Sequence, residues 1–222
     1  MTKAKYCTGL AAAILATCLI DAPASAQQAD MGFFITSSGG PSGANVGGLA
    51  GADALCQTRA EAAGDKGNTW RAYLSTQAVD GTPAINARDR IGKGPWANAK
   101  GVVIAKDIAE LHGTNNLGKL TALTEKGDMV NGRGDTPNTH DILTGTLPDG
   151  SAPTVKDDQT CGNWTKGGAE GAAIVGHFDR AGLDTSPPML SWNSSHLTRG
   201  GCSPDALKST GGAGLLYCFA AK

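Results

Sequence analysis

Cys56, Cys161, Cys202 and Cys218 lie beyond a stretch built like an export leader, and that pairing of facts constrains the fold more than any other. Lys3 and Lys5 give a basic start, Leu10 to Ile20 is an apolar run too short to span a bilayer, and Ala24-Ser25-Ala26 is the small-x-small pattern read by signal peptidase. Residues 1–26 are therefore read as a cleaved signal peptide, taking Cys7 and Cys18 with them, and residues 27–222 as a single domain. The rival is a lipid on Cys18, since Leu15-Ala16-Thr17-Cys18 has the outline of a lipobox; Thr17 fits that pattern poorly and a good cleavage site follows. The expected location is periplasmic or extracellular. In such an oxidising compartment four cysteines imply two disulfides, and spacing leaves three connectivities open. With no Cys-x-x-Cys and no Cys/His pair at ligand spacing, a zinc-thiolate site is not expected.

Glycine accounts for 32 of 222 residues while aromatic residues make up 5%. So much glycine with few long helical runs excludes a helical bundle and points to short strands and long loops. Loss of Lys3, Lys5 and Asp21 with the leader would leave 17 basic and 19 acidic residues, a net charge of −2. Nucleic-acid binding and attachment to a membrane surface through basic residues both need an excess of the other sign. No later apolar stretch has the length of a transmembrane helix.

The pattern predicts a strand over 31–36, a main helix over 49–63 stopped by Gly64, and a half-buried strand over 69–75. Asp53 is expected in the first turn of that helix, with Leu55, Arg59 and Ala62 at helical spacing. Short strands follow at 102–105, 142–146, 172–175 and 215–220, a helical turn at 107–111, and a long ordered loop over 112–141.

Gly47-Gly-Leu-Ala-Gly-Ala-Asp-Ala-Leu-Cys-Gln57 followed by Thr69-Trp-Arg-Ala-Tyr-Leu-Ser-Thr76 resembles the opening of the endostatin domain of collagens XV and XVIII. Leu143-Thr-Gly-Thr146, Asp149-Gly150, Thr160-Cys-Gly-Asn-Trp-Thr165 and the ending Cys202…Leu215-Leu-Tyr-Cys-Phe219 are similar to its later segments, with the cysteines in order. The chain is similar also to bacterial secreted proteins described as lectin-like. The resemblance implies an α+β, endostatin-like and C-type-lectin-like fold: short, twisted, mostly antiparallel strands, one main helix, long loops and two disulfides. It implies the nested pairing Cys56–Cys218 and Cys161–Cys202.

Fold alone does not assign function. Endostatin's heparin-binding arginine face has no counterpart in a chain of scattered arginines, and its zinc histidines lie near the mature N-terminus, whereas the first histidine here is His112. The calcium-dependent sugar site of C-type lectins is incomplete: Trp192-Asn193-Ser194 replaces Trp-Asn-Asp, and neither Glu-Pro-Asn nor Gln-Pro-Asp occurs. Asp128, Asn131, Asp135, Asn138 and Asp141 could ring a hard cation, but turn chemistry explains such a cluster better. Arg88-Asp89-Arg90 reads as an ion-pair element, and Arg133-Gly134-Asp135 as a three-residue match to the integrin tripeptide whose role stays open. Asn163 and Asn193 head glycosylation sequons.

The late loop, 176–200, gathers His177, Asp179, Trp192, Asn193 and His196. Two imidazoles, a carboxylate and a tryptophan there read either as a polar ligand pocket with a stacking indole, or as hydrogen bonds and packing that fasten a long loop. No nucleophile-elbow, metalloprotease-helix, P-loop or dinucleotide motif is present, so catalysis is not expected. The reading is an exported non-catalytic module binding a glycan or an envelope protein, with no required cofactor, although calcium or zinc is compatible. The alternatives are a metal-assisted hydrolase centred on His177, Asp179 and His196, and a structural envelope protein. N-terminal sequencing of the exported product should begin at Gln27, and a lipid on Cys18 would contradict the leader assignment.

Overall fold

The computed structural model describes Met1 and residues 30–222; the cleavage site, Cys7 and Cys18 fall outside the described residues. The chain runs β1 (Phe33–Ile35), α1 (Gly48–Ala62), β2 (Trp70–Ala72), β3 (Trp96–Ala97), β4 (Val103–Ala105), α2 (Ile108–Leu111), β5 (Asp141–Leu143), α3 (Cys161–Trp164), β6 (Ile174–His177), β7 (His196–Leu197), α4 (Pro204–Thr210) and β8 (Gly212–Ala220). It is a mixed α+β protein of short strands in two sheets, with few helices and two disulfides.

β8 organises the larger sheet. Its run Gly212-Ala-Gly-Leu-Leu-Tyr-Cys-Phe-Ala220 is nearly all apolar because both faces are covered, so the alternation that marks a half-exposed strand is absent. Leu216, Cys218 and Ala220 enter one core with Ala52, Cys56 and Ala60 of α1, while Leu215, Tyr217 and Phe219 enter a second with Trp96, Phe178 and Trp192. β1 and β2 are both antiparallel to β8, and Phe34 and Ala72 both lie opposite Cys218. β5 runs parallel to the first half of β8, β6 is antiparallel to β5, and β7 is antiparallel to β6. β3 and β4 form the separate two-stranded sheet.

The main helix matches its expected span, and Gly64, at φ 100°, takes the left-handed conformation that ends it. Its buried stripe is Ala52, Cys56 and Ala60, one position round from the expected Leu55, Arg59 and Ala62; small residues let the helix lie close to β8. Asp53 sits in the second turn, not the first, and faces the sheet. Its carboxylate accepts from the Ala72 backbone N–H at 3.0 Å and from Arg90 at 2.7 and 2.8 Å, and pairs with Arg71 at 2.8 Å. Arg90 also bonds the Ala72 carbonyl, and Arg88 pairs with Asp149 at 3.1 Å, so that triplet is an ion-pair element as expected. The loop after α2 carries no helix or strand before β5. α4 was not expected, although Ser203 as N-cap, Pro204 in its first turn and Gly211 as C-cap are ordinary helix punctuation.

The disulfides are Cys56–Cys218 and Cys161–Cys202, the nested pair, closing spans of 162 and 41 positions. Chain-entropy arguments assign such loops about 5 and 4 kcal/mol. The second bridge anchors a left-handed turn: Cys161, Gly162, Asn163 and Trp164 have φ of 47°, 61°, 53° and 70°. L-residues in that region cost about 1–2 kcal/mol each. The turn is held by the bridge, by the Asp158 carboxylate accepting from the Gly162 N–H at 2.9 Å, and by the buried Trp164 indole donating to the Ser75 carbonyl at 2.7 Å.

Non-reducing peptide mapping should recover both bridges, and Cys56→Ala should lower unfolding stability by about 2–5 kcal/mol while exposing one reactive thiol at Cys218. A Cys56–Cys161 peptide would contradict the arrangement.

Candidate metal centre

Strand pairing alone assembles most of the site. Asp141 lies directly opposite His177 across β5 and β6, and His196 lies opposite Val175, two residues from His177, across β6 and β7. Cross-strand partners and i, i+2 residues share a sheet face, so all three side chains project from the same side. Further along that face Leu143 and Val175 are core; at its end the apolar residues give way to polar ones. His140 joins from the residue before β5, next to a register shift in the β5–β8 pairing between Asp141 and Ile142. Three of the chain's four histidines thus meet at one carboxylate.

The three Nε2 atoms stand 3.2 Å (His140), 3.3 Å (His177) and 3.6 Å (His196) from Asp141 Oδ1. Each Nδ1 is engaged on the far side of its ring: His140 with Asp179 Oδ1 at 3.1 Å, His177 with the Met189 carbonyl at 2.8 Å, and His196 with the Leu197 carbonyl at 3.0 Å. A carbonyl only accepts, so His177 and His196 carry their hydrogen on Nδ1, and in the neutral ring Nε2 is then a bare lone pair. Those lone pairs face a carboxylate that is itself an acceptor. While those rings stay neutral, both buried Asp141 oxygens lack a hydrogen-bond donor. An acceptor-only cluster out of water is costly unless a cation or an added proton sits among its members.

The dimensions suit such an ion. A tetrahedral site with arms of 2.0–2.1 Å has edges of about 3.3 Å, the scale of the three Nε2–Oδ1 separations. His140, Asp141 and His177 are buried, with donor atoms all within 4.8 Å of one another; His196 is outside that mutually close group, although its Nε2 reaches Asp141 Oδ1. The rings of His140 and His177 lie stacked, with centroids 4.2 Å apart and planes at 16°, so sharing one ion requires one ring to turn out of the stack. The electrostatics follow the geometry. Without an ion, the donors at hand are the imidazoles in their protonated form: burial pushes the Asp141 carboxyl up, but hydrogen bonds from His177 and His196 in that form, with the charges of His196 and His140, outweigh it and hold the group below the usual range. Asp141 raises the His196 imidazole against burial and the opposing charge of Arg199. Asp179 is likewise pushed up by burial but held low overall by His140 and by the Arg133 backbone N–H, which donates to Oδ2 at 2.6 Å.

Ser195 Oγ lies 3.2 Å from both His177 ring nitrogens. An atom in line with either lone pair would be much farther from the other nitrogen, so this is not the serine–histidine geometry of a nucleophile and its base.

Of the residues expected from the late loop, His177 and His196 belong to the cluster and Asp179 orients His140 from behind. Trp192 and Asn193 do not belong to it. Trp192 is 4% exposed and packs in the second core with ring centroids 4.9 Å from Tyr73 and 5.2 Å from Tyr217, so the expected stacking face is covered. Asn193 is buried, and its amide donates to Tyr73 Oη and to the Leu147 and Pro148 carbonyls at 3.1, 3.2 and 3.1 Å. Gly176 allows this packing, because a Cβ there would come within 1.8 Å of the Trp192 carbonyl oxygen. In the Asn/Asp-rich loop, Asn138 accepts from the His140 N–H at 3.2 Å, Asn131 donates to the Pro137 carbonyl at 3.0 Å, and Asp135 of the integrin-type tripeptide pairs with Lys119. Turn and surface chemistry accounts for these, and Asp141 alone of that group reaches the centre.

The sequence reasoning missed His140 and the role of Asp141. The available signal was a His-Asp pair leading into Ile142-Leu143 in a chain with four histidines, but assembling the cluster needs the pairing of β5 with β6. No family model matches the chain, and no curated protein matches it.

Trp192→Ala should destabilise the protein by about 3–5 kcal/mol in denaturant melts, as truncation of a core aromatic does. An unchanged midpoint would place Trp192 outside the core.

Proposed function

We propose that the protein is an exported, non-catalytic binding module of endostatin-like, C-type-lectin-like fold that engages its ligand through a divalent transition metal, zinc above others, held by His140, Asp141 and His177 with His196 beside them. One observation carries the reading: three imidazole Nε2 atoms, two of them with Nδ1 committed to a backbone carbonyl and one to a carboxylate, converge on an unsatisfied buried carboxylate oxygen. Three nitrogens and one oxygen suit zinc and disfavour calcium, which takes oxygen ligands. The Asp179 contact on His140 has the form of the outer partners that orient metal-bound histidines. Support for the fold comes from the nested disulfides, which are the pairing the resemblance implies, and from the helix they tie to the last strand. Both bridges also fit an oxidising destination, and among the described residues no helix is long and apolar enough to cross a membrane.

A cavity of about 300 Å³ opens on the three imidazoles, and this favours a second reading, the metal-assisted hydrolase. Metal-assisted hydrolysis gains from a base beside the metal-bound water, in addition to the metal's own lowering of that water's pKa. No carboxylate lines that cavity, and Asp179 is occupied by His140 and two backbone N–H groups. Binding is the better supported reading.

Chelator-stripped protein should take up one zinc per chain by elemental mass spectrometry, and calcium should not replace it. Asp141→Asn and His177→Ala should each abolish stoichiometric uptake. Zinc at a hundredfold excess over its dissociation constant should add about 2.7 kcal/mol to stability. Affinity should fall with acidification through about pH 6.5, since protons compete for Nε2; the raised His196 imidazole makes that competition begin at a higher pH than for a free histidine. Wild-type protein that takes up no stoichiometric metal would end the reading.

A further inference from the structure

The cavity in front of the centre has a charge and a shape that narrow its ligand. Arg133 and Arg199 line it together with the imidazoles, and both are exposed. Neither guanidinium has an ion pair or hydrogen bond among the described residues, although the chain as a whole carries a formal charge of −1. The rest of the lining is Thr210 and three apolar residues, Leu183, Met189 and Leu197, with Leu183 82% and Leu197 39% exposed. The acidic groups of the site lie behind the histidines, not in the cavity. Asp141 is 2% exposed, and the Asp179 side chain is 5% exposed.

We propose that this cavity binds a small organic oxyanion, with its charged end between the metal and the guanidinium groups of Arg133 and Arg199 and its apolar group against Leu183, Met189 and Leu197. The inference rests on the metal reading above. A divalent ion beside a single carboxylate keeps a net positive charge, and two unpaired guanidinium groups add to it, so a neutral ligand would leave a concentrated positive field unmet. Zinc held by His140, Asp141 and His177 keeps its fourth position open to an oxygen of the ligand. The volume lies at the small end of the range for ligand pockets, which restricts the ligand to a short chain rather than a polymer threaded through the site. A carboxylate and a phosphate monoester share the required chemistry.

Cobalt(II)-loaded protein allows the ligand and the metal to be read separately, because the visible bands of the ion report its coordination. Titration with hexanoate and with hexyl phosphate should shift those bands saturably for at least one of the two, and which one responds identifies the source of the oxyanion. Hexanamide, the uncharged match, should produce no shift. Arg133→Ala and Arg199→Ala should leave the ligand-free spectrum unchanged and weaken binding about tenfold each, the scale of losing a charge-assisted contact. A cobalt spectrum that neither anion alters would overturn this inference and leave the metal centre standing. Equal affinity for hexanamide, or unchanged affinity in both arginine variants, would overturn it as well. If cobalt does not bind at all, this inference and the metal reading fall together.

Discussion

β8 is buried on both faces and flanked on both edges, and the rest of the molecule is arranged to satisfy it. Leu216, Cys218 and Ala220 require one core and Leu215, Tyr217 and Phe219 another, so apolar layers must come from both sides of the sheet. α1 supplies one layer and is joined to β8 covalently at Cys218. The other is supplied by aromatic residues scattered from Phe33 to Trp192, carried on strands and loops rather than on a helix. Few aromatic residues therefore serve the protein well, since most of them are concentrated in two cores sharing one strand.

The site is a consequence of how that sheet ends. Parallel pairing with β8 sets the position of β5, β6 pairs back on it, and β7 extends the sheet at an edge. Where these short strands run past the apolar layer, the same face presents Asp141, His177 and His196. A buried carboxylate surrounded by lone pairs is a poor way to stabilise a fold, and apolar residues of similar volume would serve packing better. Its presence amid so much well-paired polar structure is what supports the metal reading proposed above. Asn193 shows the contrast: it places its amide hydrogens on three acceptors, whereas both oxygens of Asp141 lack a donor as long as the imidazoles around it are neutral.

Much of the local structure was legible. α1 declared itself through Gly64 and its length, and β8 through its unbroken apolar run. What failed were quantities set by tertiary contact. The helix turned by one residue to present Ala52, Cys56 and Ala60, because close approach to β8 selects small side chains over large ones. The strand expected at 172–175 is found at 174–177, which moves His177 from a loop onto a sheet and into register with Asp141. His140 escaped notice because its placement depends on a register shift that no periodicity reveals. The late loop was identified as the place where chemistry gathers, yet only some of its residues face the site.

The two readings of that loop, as fastening and as function, describe one device. Trp192 buries its indole in the second core, and the Tyr217 hydroxyl donates to its carbonyl at 2.7 Å, so the middle of the loop is pinned against β8. Gly176 lets the pinned backbone pass directly beside β6. Residues on either side of the pin then supply the carbonyls of Met189 and Leu197, which hold the Nδ1–H of His177 and His196 and so direct both Nε2 lone pairs inward. A histidine fixed in one tautomer and one orientation gives up little freedom when it binds an ion, and affinity gains what flexibility would have cost. The core tryptophan thus acts on the centre without touching it. Its burial removes it as a stacking platform and makes it part of the support that orients the clustered histidines.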